Sequence, residues 1–292
     1  MPRPRLNIVG SGRVARALGR LLHQQGIVEI GAIHSRNPLH SDEAAAFIGS
    51  GVTAARLEEM GDASLWLIAV SDDAISSVSG HLAAISHQRW QGCCVFHCSG
   101  IHSSHTLAAL AARGAATASL HPVHSFADPA KSVREFRGTF CSLEGDEHAK
   151  AILVPILDAL GAAHTELAPE HKALYHAATV VASNHLVALI ATSLTMLEAA
   201  GIPEQQARRM LAPLVTGSTA NALEYGPRGA LTGPVLRGDA GSVRQHLDAL
   251  AAQLPGLLPA YKVMAQEVLA LTDEIGGAFD PGHDLIRDIL SS

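Results

Sequence analysis

The stretch that decides the fold is "LNIVGSGRVARALGRLL", Leu6 to Leu22. It reads as a short apolar strand, then Gly10-x-Gly12-x-x-Ala15, then an amphipathic helix over Arg13–Gln24. Gly10 permits a tight turn, Gly12 lets the backbone approach a pyrophosphate, and the pyrophosphate then rests on the positive end of the helix. A glycine pattern alone is weak evidence, but this one has a strand before it and a helix behind it. Gly10, Ser11, Gly12, Arg13 and Val14 are therefore expected to line a dinucleotide site.

Outward from this loop, residues 6 to about 167 alternate short apolar runs with amphipathic segments, the pattern of a parallel sheet covered by helices. The expected strands are Leu6–Gly10, Val28–His34, Leu65–Val70, Cys94–Cys98, Ala116–His121, Thr139–Leu143 and His164–Leu167. Helices are expected at Asp73–Ser86, at Ser104–Arg113 and from near Asp146 to Gly161. Ligands of open α/β sheets bind beyond the carboxyl ends of the strands, so the residues at those ends are site candidates. After the second strand the chain reads Ser35-Arg36-Asn37, with a guanidinium and no acid. An acid there would repel a ribose 2′-phosphate and a guanidinium would hold it, which favours NADP over NAD. Val70, Ser71 and Asp72 follow the third strand as cofactor candidates. Ser99 and His121 follow the next two and are expected to face substrate, although Asp72 and Ser99 also suit helix caps.

The chain has 292 residues, 48% hydrophobic and 16% charged, with net charge -6 and no basic run. That suits two well-buried domains and disfavours nucleic acid or an anionic membrane as partner. The apolar run at the N-terminus is broken by Gly10, Ser11, Gly12 and Arg13 before it could form a signal-peptide core, so a cytoplasmic protein with reduced cysteines is expected. "CCVFHC", residues 93–98, sets His97 among three thiols, but alternate side chains of a strand face opposite ways. No metal site is expected.

Beyond residue 168 the strand pattern stops, which divides the chain into 1–168 and an all-helical 169–292. Pro169–Ala200 reads as one helix about 48 Å long, ended by Gly201-Ile202-Pro203. Helices over Glu204–Glu224, Ser242–Leu254 and Leu257–Ala270 and a short one near the C-terminus follow. Between Lys172 and Glu198 no residue is charged, a length that would cross a bilayer. Yet Lys172, Tyr175, His176, Thr179 and Ser183 fall within an arc of roughly 100°. Such a polar stripe suits a site wall better than a membrane, and from Leu186 onward the helix is expected to serve packing. A carbonyl or imine gains negative charge as hydride arrives, so a proton donor or fixed cation must stand nearby. Lys172 fits, with His176 as the competing acid, Asn184 to orient substrate, and Tyr175 and Ser183 beside them. In "TGPVLRGD", residues 232–239, Arg237 either presents a cation to a carboxylate or belongs to a structural turn.

Together "IVGSGRVA", "HSRN", "AVSDDAI", "HCSG", "LHPVHSFAD", "KALYHAATVVASNH" and "LTGPVLRGD" make the chain resemble the bacterial Rossmann-like proteins that carry C-terminal domain of unknown function 2520. That family is similar to the 6-phosphogluconate dehydrogenase-like superfamily, including pyrroline-5-carboxylate reductase and the ketopantoate reductases. The resemblance implies a Rossmann-type doubly wound parallel sheet binding NADP, an all-helical second domain, and a homodimer built through that domain. Together with the polar stripe it leads to the expectation of an NADP(H)-dependent oxidoreductase acting on a small oxo or imino acid, ketopantoate-like, though the resemblance itself names no substrate. A non-catalytic NADP-binding sensor or scaffold is the alternative, as is catalysis with a deazaflavin as redox partner. In the superfamily the catalytic Lys and Asn stand one turn apart; here the nearest Asn to Lys172 is Asn184, twelve residues on.

Overall fold

The computed structural model describes residues 3–274 and 281–291. The opening strand β1 (Arg5–Val9) lies inside an eight-stranded sheet with β2 (Glu29–His34), β3 (Val52–Ala54), β4 (Leu65–Ile68), β5 (Cys94–His97), β6 (Ala116–Pro122), β7 (Phe140–Gly145) and β8 (Ala163–Glu166). The strand order is β3-β2-β1-β4-β5-β6-β7-β8, so the chain reverses its direction of winding between β1 and β4, where a ligand crevice is expected. All neighbours are parallel except β6 and β7. Helices α1 (Arg13–Gln24), α2 (Pro38–Ile48), α3 (Ile75–Ala84), α4 (Ala108–Ala111), α5 (Pro129–Glu135) and α6 (Glu147–Ala159) fill the connections.

Strand side chains alternate between two cores, as a doubly covered sheet requires. Leu6, Ile8, Leu65 and Leu67 pack with Leu18, Leu21 and Leu153 on one face. Val9, Trp66, Ile68 and Val95 pack with Ile75, Leu82 and Trp90 on the other. Asn7 is buried at a register shift between β1 and β2: its Oδ1 accepts from Ala32 N (2.8 Å) and its Nδ2 donates to Gly61 O (2.9 Å). The expected strands all form, with ends shifted by a residue or two. Three elements lie outside those expectations. The edge strand β3 has only three residues, while α2 and α5 start at Asn37-Pro38 and Asp128-Pro129, each with the Asn or Asp side chain capping the first turn.

On β6 the alternation carries a further signal. Ala116, Ala118 and Leu120 join the apolar core, so Thr117, Ser119 and His121 face the opposite way. Antiparallel β7 sets Glu144 opposite Ser119 and Ser142 opposite His121, extending this polar face across two strands. Helix α7 (Lys172–Val180), entered through a 3-10 turn at Pro169–His171, sends Lys172 to bond with it.

The long helix expected from Pro169 is continuous, but a π-helical turn at Val181–His185 separates α7 from α8 (Leu186–Ala199). By its internal contacts the chain divides into Met1–Ser183 and Asn184–Ser292. The sequence suggested residue 168/169; the first unit runs further because Lys172 and Tyr175 are bonded to the sheet. In the second unit α9 (Glu204–Ala230) is broken at Gly226, near the expected stop at Glu224. Helices α10 (Ala240–Gln253), α11 (Leu258–Glu274) and α12 (Pro281–Ser291) form a small core through Val243, Leu247, Leu269, Ile286 and Ile289. Within Pro169–Ala199 an apolar window of mean hydropathy 1.7 is long enough to cross a membrane and is unburied, whereas Lys172 in the first turn is buried.

Candidate active site

The glycine loop has the shape its sequence demands. Gly10 has φ 118°, and a Cβ there would stand 2.1 Å from Ala69 O, so no side chain fits between β1 and the end of β4. Around Gly12 the space is open. Helix α1 begins without a side-chain cap and without an acid in its first turn, so its N–H groups are available to an anion such as a pyrophosphate. Arg13 is exposed there, with Ser11 and Val14 half-buried. Arg16, which the sequence reading passed over, fixes the loop by donating from Nε to Ser11 O (2.8 Å) and pairing with Glu43 (2.8 Å).

Beyond β2 the three expected cofactor residues divide their tasks. The Asn37 side chain caps α2 by accepting from Leu39 N (3.1 Å), and the Ser35 hydroxyl bonds to Asn37 O (2.8 Å) and Ser41 Oγ (2.9 Å). Both are thus engaged in shaping the turn, and Arg36 between them is exposed. Across the strand ends, Val70 leads into a 3-10 turn at Asp72–Ala74. The Ser71 hydroxyl holds the Asp73 carboxyl below its usual range, assisted by the Arg36 guanidinium.

At the carboxyl ends of β5 and β6 the second group of residues converges. Lys172 is 1% exposed, and its Nζ donates to Ser119 Oγ (2.6 Å) and Ser99 O (3.1 Å). Burial lowers its pKa, with Glu144, Cys98 and Asp72 acting in the opposite direction. Glu144 is itself buried, accepting from Ser104 N (2.5 Å) and Ser104 Oγ (2.9 Å). Ser99 Oγ accepts from His102 N (3.0 Å), the turn-capping role. His97 accepts from Ser99 N at Nδ1 (3.1 Å), so its proton sits on Nε2 and is donated to Ser103 O (3.1 Å). Burial pushes its pKa down to about 4.

His121 Nδ1 and Tyr175 Oη are 2.8 Å apart, with the rings edge to face. The His176 ring stands edge to face with His121, centroids 5.8 Å apart. Both imidazoles close on Gly100, where a Cβ would lie 2.3 Å from His176 Nδ1 and 2.9 Å from His121 Nε2. Burial first, then the charges of Lys172 and His176, push His121 down to about 4. Tyr175 is raised by burial, against the effect of the neighbouring Ser142 hydroxyl.

The structure thus gathers Ser99, His121, Lys172, Tyr175 and His176, and adds His97, Gly100, Ser119 and Glu144. Ser183 is not gathered with them: exposed, it donates to Thr179 O of its own helix (2.7 Å). Asn184 and Arg237 belong to the second unit. Residues 1–122 match the family described as Rossmann-like domain, and residues 139–268 match Domain of unknown function (DUF2520). The chain joins a Rossmann-like domain to a DUF2520 domain. TM1727 from Thermotoga maritima is 26% identical over 93% of this chain and 100% of its own, with TM-score 0.71. BF3122 from Bacteroides fragilis, described as a candidate NADP oxidoreductase, is 19% identical over 91% and 98%, TM-score 0.76. A reductive aminase from Aspergillus terreus, in complex with NADPH and ethyl-5-oxohexanoate, is 16% identical over 98% and 99%, TM-score 0.65. No curated protein matches the chain.

The gathered residues come from both matches: Ser99, Ser119 and His121 from the Rossmann-like domain, Lys172, Tyr175 and His176 from the DUF2520 domain. Further along the DUF2520 domain, "TGPVLRGD" is a turn with positive φ at Gly233 and Gly238. Asp239 caps α10 by accepting from Ser242 N (2.9 Å), and Arg237 is exposed beside it. Within the second unit a cavity of about 630 Å³ opens between Met196, Leu231, Val235, Leu250 and Tyr261, with His246 bonded to the Tyr261 hydroxyl (2.8 Å) at its wall.

Proposed function

We propose that this protein is an NADP(H)-dependent reductase that delivers hydride to the C=O or C=N carbon of a small oxo or imino acid, ketopantoate being the model substrate. The observation that carries this reading is a shared sheet edge. The anion-accepting loop after β1 and the buried Lys172 cluster after β5 and β6 all stand at carboxyl ends of parallel strands. Supporting it are similar structures described as a pyrroline-5-carboxylate reductase, imine reductases and a reductive aminase bound to NADPH. The cofactor, when bound, supplies the hydride. For the chain's part, the α1 N-terminus and Gly12 hold pyrophosphate, Arg36 meets the 2′-phosphate, and Ser99, His121, Tyr175 and His176 face substrate, Ser183 and Arg237 lying further along the chain. Lys172 keeps a positive charge beneath the reacting group, where negative charge develops.

The reading extends to a homodimer in the cytoplasm. In the second unit Val187 (67% exposed) and Leu223 (84%) leave apolar side chains on α8 and α9 that a second copy would cover. One observation favours the sensor alternative: the Lys172 ammonium already has two protein acceptors, as a structural cation would. The two are separated by following NADPH absorbance with pyruvate, 2-oxoisovalerate and ketopantoate. Turnover that falls in Lys172→Ala supports the reductase; tight NADPH binding with no turnover supports the sensor. For the cofactor, Arg36→Asp is expected to weaken NADPH at least tenfold more than NADH, and equal weakening would remove the 2′-phosphate role.

A further inference from the structure

We propose that Tyr175, supported by a hydrogen bond from His121, is the group that delivers the proton in the reduction, and that Lys172 is a positioning residue for this pair. The inference rests on the reductase reading above and assigns the chemistry within it differently from what the sequence suggested.

Lys172 is placed to hold and not to give. Two of its three N–H bonds are committed to Ser119 Oγ and Ser99 O, and its 1% exposure leaves it no path to a ligand that keeps both. The Ser119 hydroxyl in turn donates to Ser99 O (3.2 Å), so one carbonyl is held from two sides. That carbonyl precedes Gly100, the residue against which His121 Nε2 and His176 Nδ1 are closed. The lysine therefore fixes the floor on which both imidazoles stand.

The pair above that floor can share its hydrogen bond in two ways. Among the described residues the one hydrogen-bond partner of His121 is the Tyr175 hydroxyl at Nδ1, and Nε2 faces the open side of Gly100. Proton delivery by Tyr175 uses the form with the imidazole proton on Nδ1, donated to the phenol oxygen. The phenol O–H is then released from His121 and can point to substrate, since Tyr175 is only half-buried. As hydride reaches the substrate carbon, the C=O or C=N π pair moves to the heteroatom and takes the Tyr175 proton. The O–H bond of the phenol breaks, a new O–H or N–H bond forms, the phenolate is held by His121 Nδ1–H, and water restores its proton. The groups facing His121 are Lys172 and His176 on α7 and Asp72 after β4; those facing Tyr175 are Ser142 and Cys141 on β7. Burial, reinforced by Lys172, holds His121 down to about 4, so at neutral pH it donates to a phenolate through Nδ1 with no net charge of its own.

Two measurements decide this, one without substrate. In ¹⁵N-histidine spectra of the NADPH complex, His121 is expected as the Nδ1–H tautomer, titrating near pH 4, and Lys172→Met is expected to move that titration upward toward the ordinary histidine range. A burial role alone for Lys172 would leave the titration where it is. An Nε2–H tautomer would commit the phenol proton to His121 and overturn the proposal whatever the kinetics. With the 2-oxo acid that gives turnover, Tyr175→Phe is expected to lower kcat at least 100-fold with KM little changed. An unchanged kcat would overturn the assignment and instead name His176 as donor. Absence of wild-type turnover on every acid with the Nδ1–H tautomer present would end the reductase reading, and the proton-delivery role with it. Turnover with the Nε2–H tautomer would end only the Tyr175 assignment.

Discussion

His97 and His121 show how burial, more than any single partner, sets the chemistry of this site. Both are held near a pKa of 4, well below the ordinary value of 6.5. Between pH 6.5 and 4 the unfolded chain binds protons that the folded chain refuses, so stability rises with pH across that window and is lost as the pH falls through it. A shift of this size corresponds to roughly 3 kcal/mol per histidine at the acid end. The expected outcome is a Tm that drops steadily from pH 6.5 to 4, with His97→Gln flattening part of the drop; a Tm flat across the window would contradict the buried neutral rings. At this scale the sequence was only partly informative. Lys172, Tyr175 and His176 were visible because helical periodicity gathers them, and His121 because it ends a strand. Ser119 and Glu144 were hidden, since their roles depend on which antiparallel neighbour β7 presents, a pairing that no local pattern encodes. The alternation of Thr117, Ser119 and His121 against Ala116, Ala118 and Leu120 was the one trace of that polar face.

Elements were more legible than contacts, because strands buried on both faces and capped helices announce themselves locally. The glycine loop and α1 follow from one seventeen-residue stretch. The turn after β2 shows where a functional reading can displace a structural one: Asn37-Pro38 is a helix start, and its side chain caps α2. Asn37→Ala is therefore expected to cost about 1 kcal/mol of stability, measured by urea unfolding. It should leave the ratio of NADPH to NADH affinity unchanged; a selective loss of NADPH would restore Asn37 to the phosphate site. The long helix is the other instance. Its uncharged length alone left a membrane span, a core helix and a site wall open, and the polar stripe favoured the last. The bonds of its first turns to the sheet and the exposure of α8 are tertiary facts that the stripe could not give.

For the whole molecule, the proposed dimer is tested at the exposed apolar side chains of α8 and α9. The protein is expected to elute at twice the chain mass in light scattering, and Leu214→Asp combined with Leu223→Asp to elute as a monomer. A monomeric wild type at micromolar concentration would remove the dimer from the account. The central claim is that this two-unit chain transfers hydride, and it is tested most directly by following the transferred atom. Wild-type protein is incubated with NADPH carrying deuterium at both C4 positions of the dihydronicotinamide and the 2-oxo acid panel, and the products are weighed by mass spectrometry. The account predicts a hydroxy acid one deuterium heavier, with the label on the carbon that was the carbonyl. Unlabelled product, or no product while NADPH is bound, would contradict it.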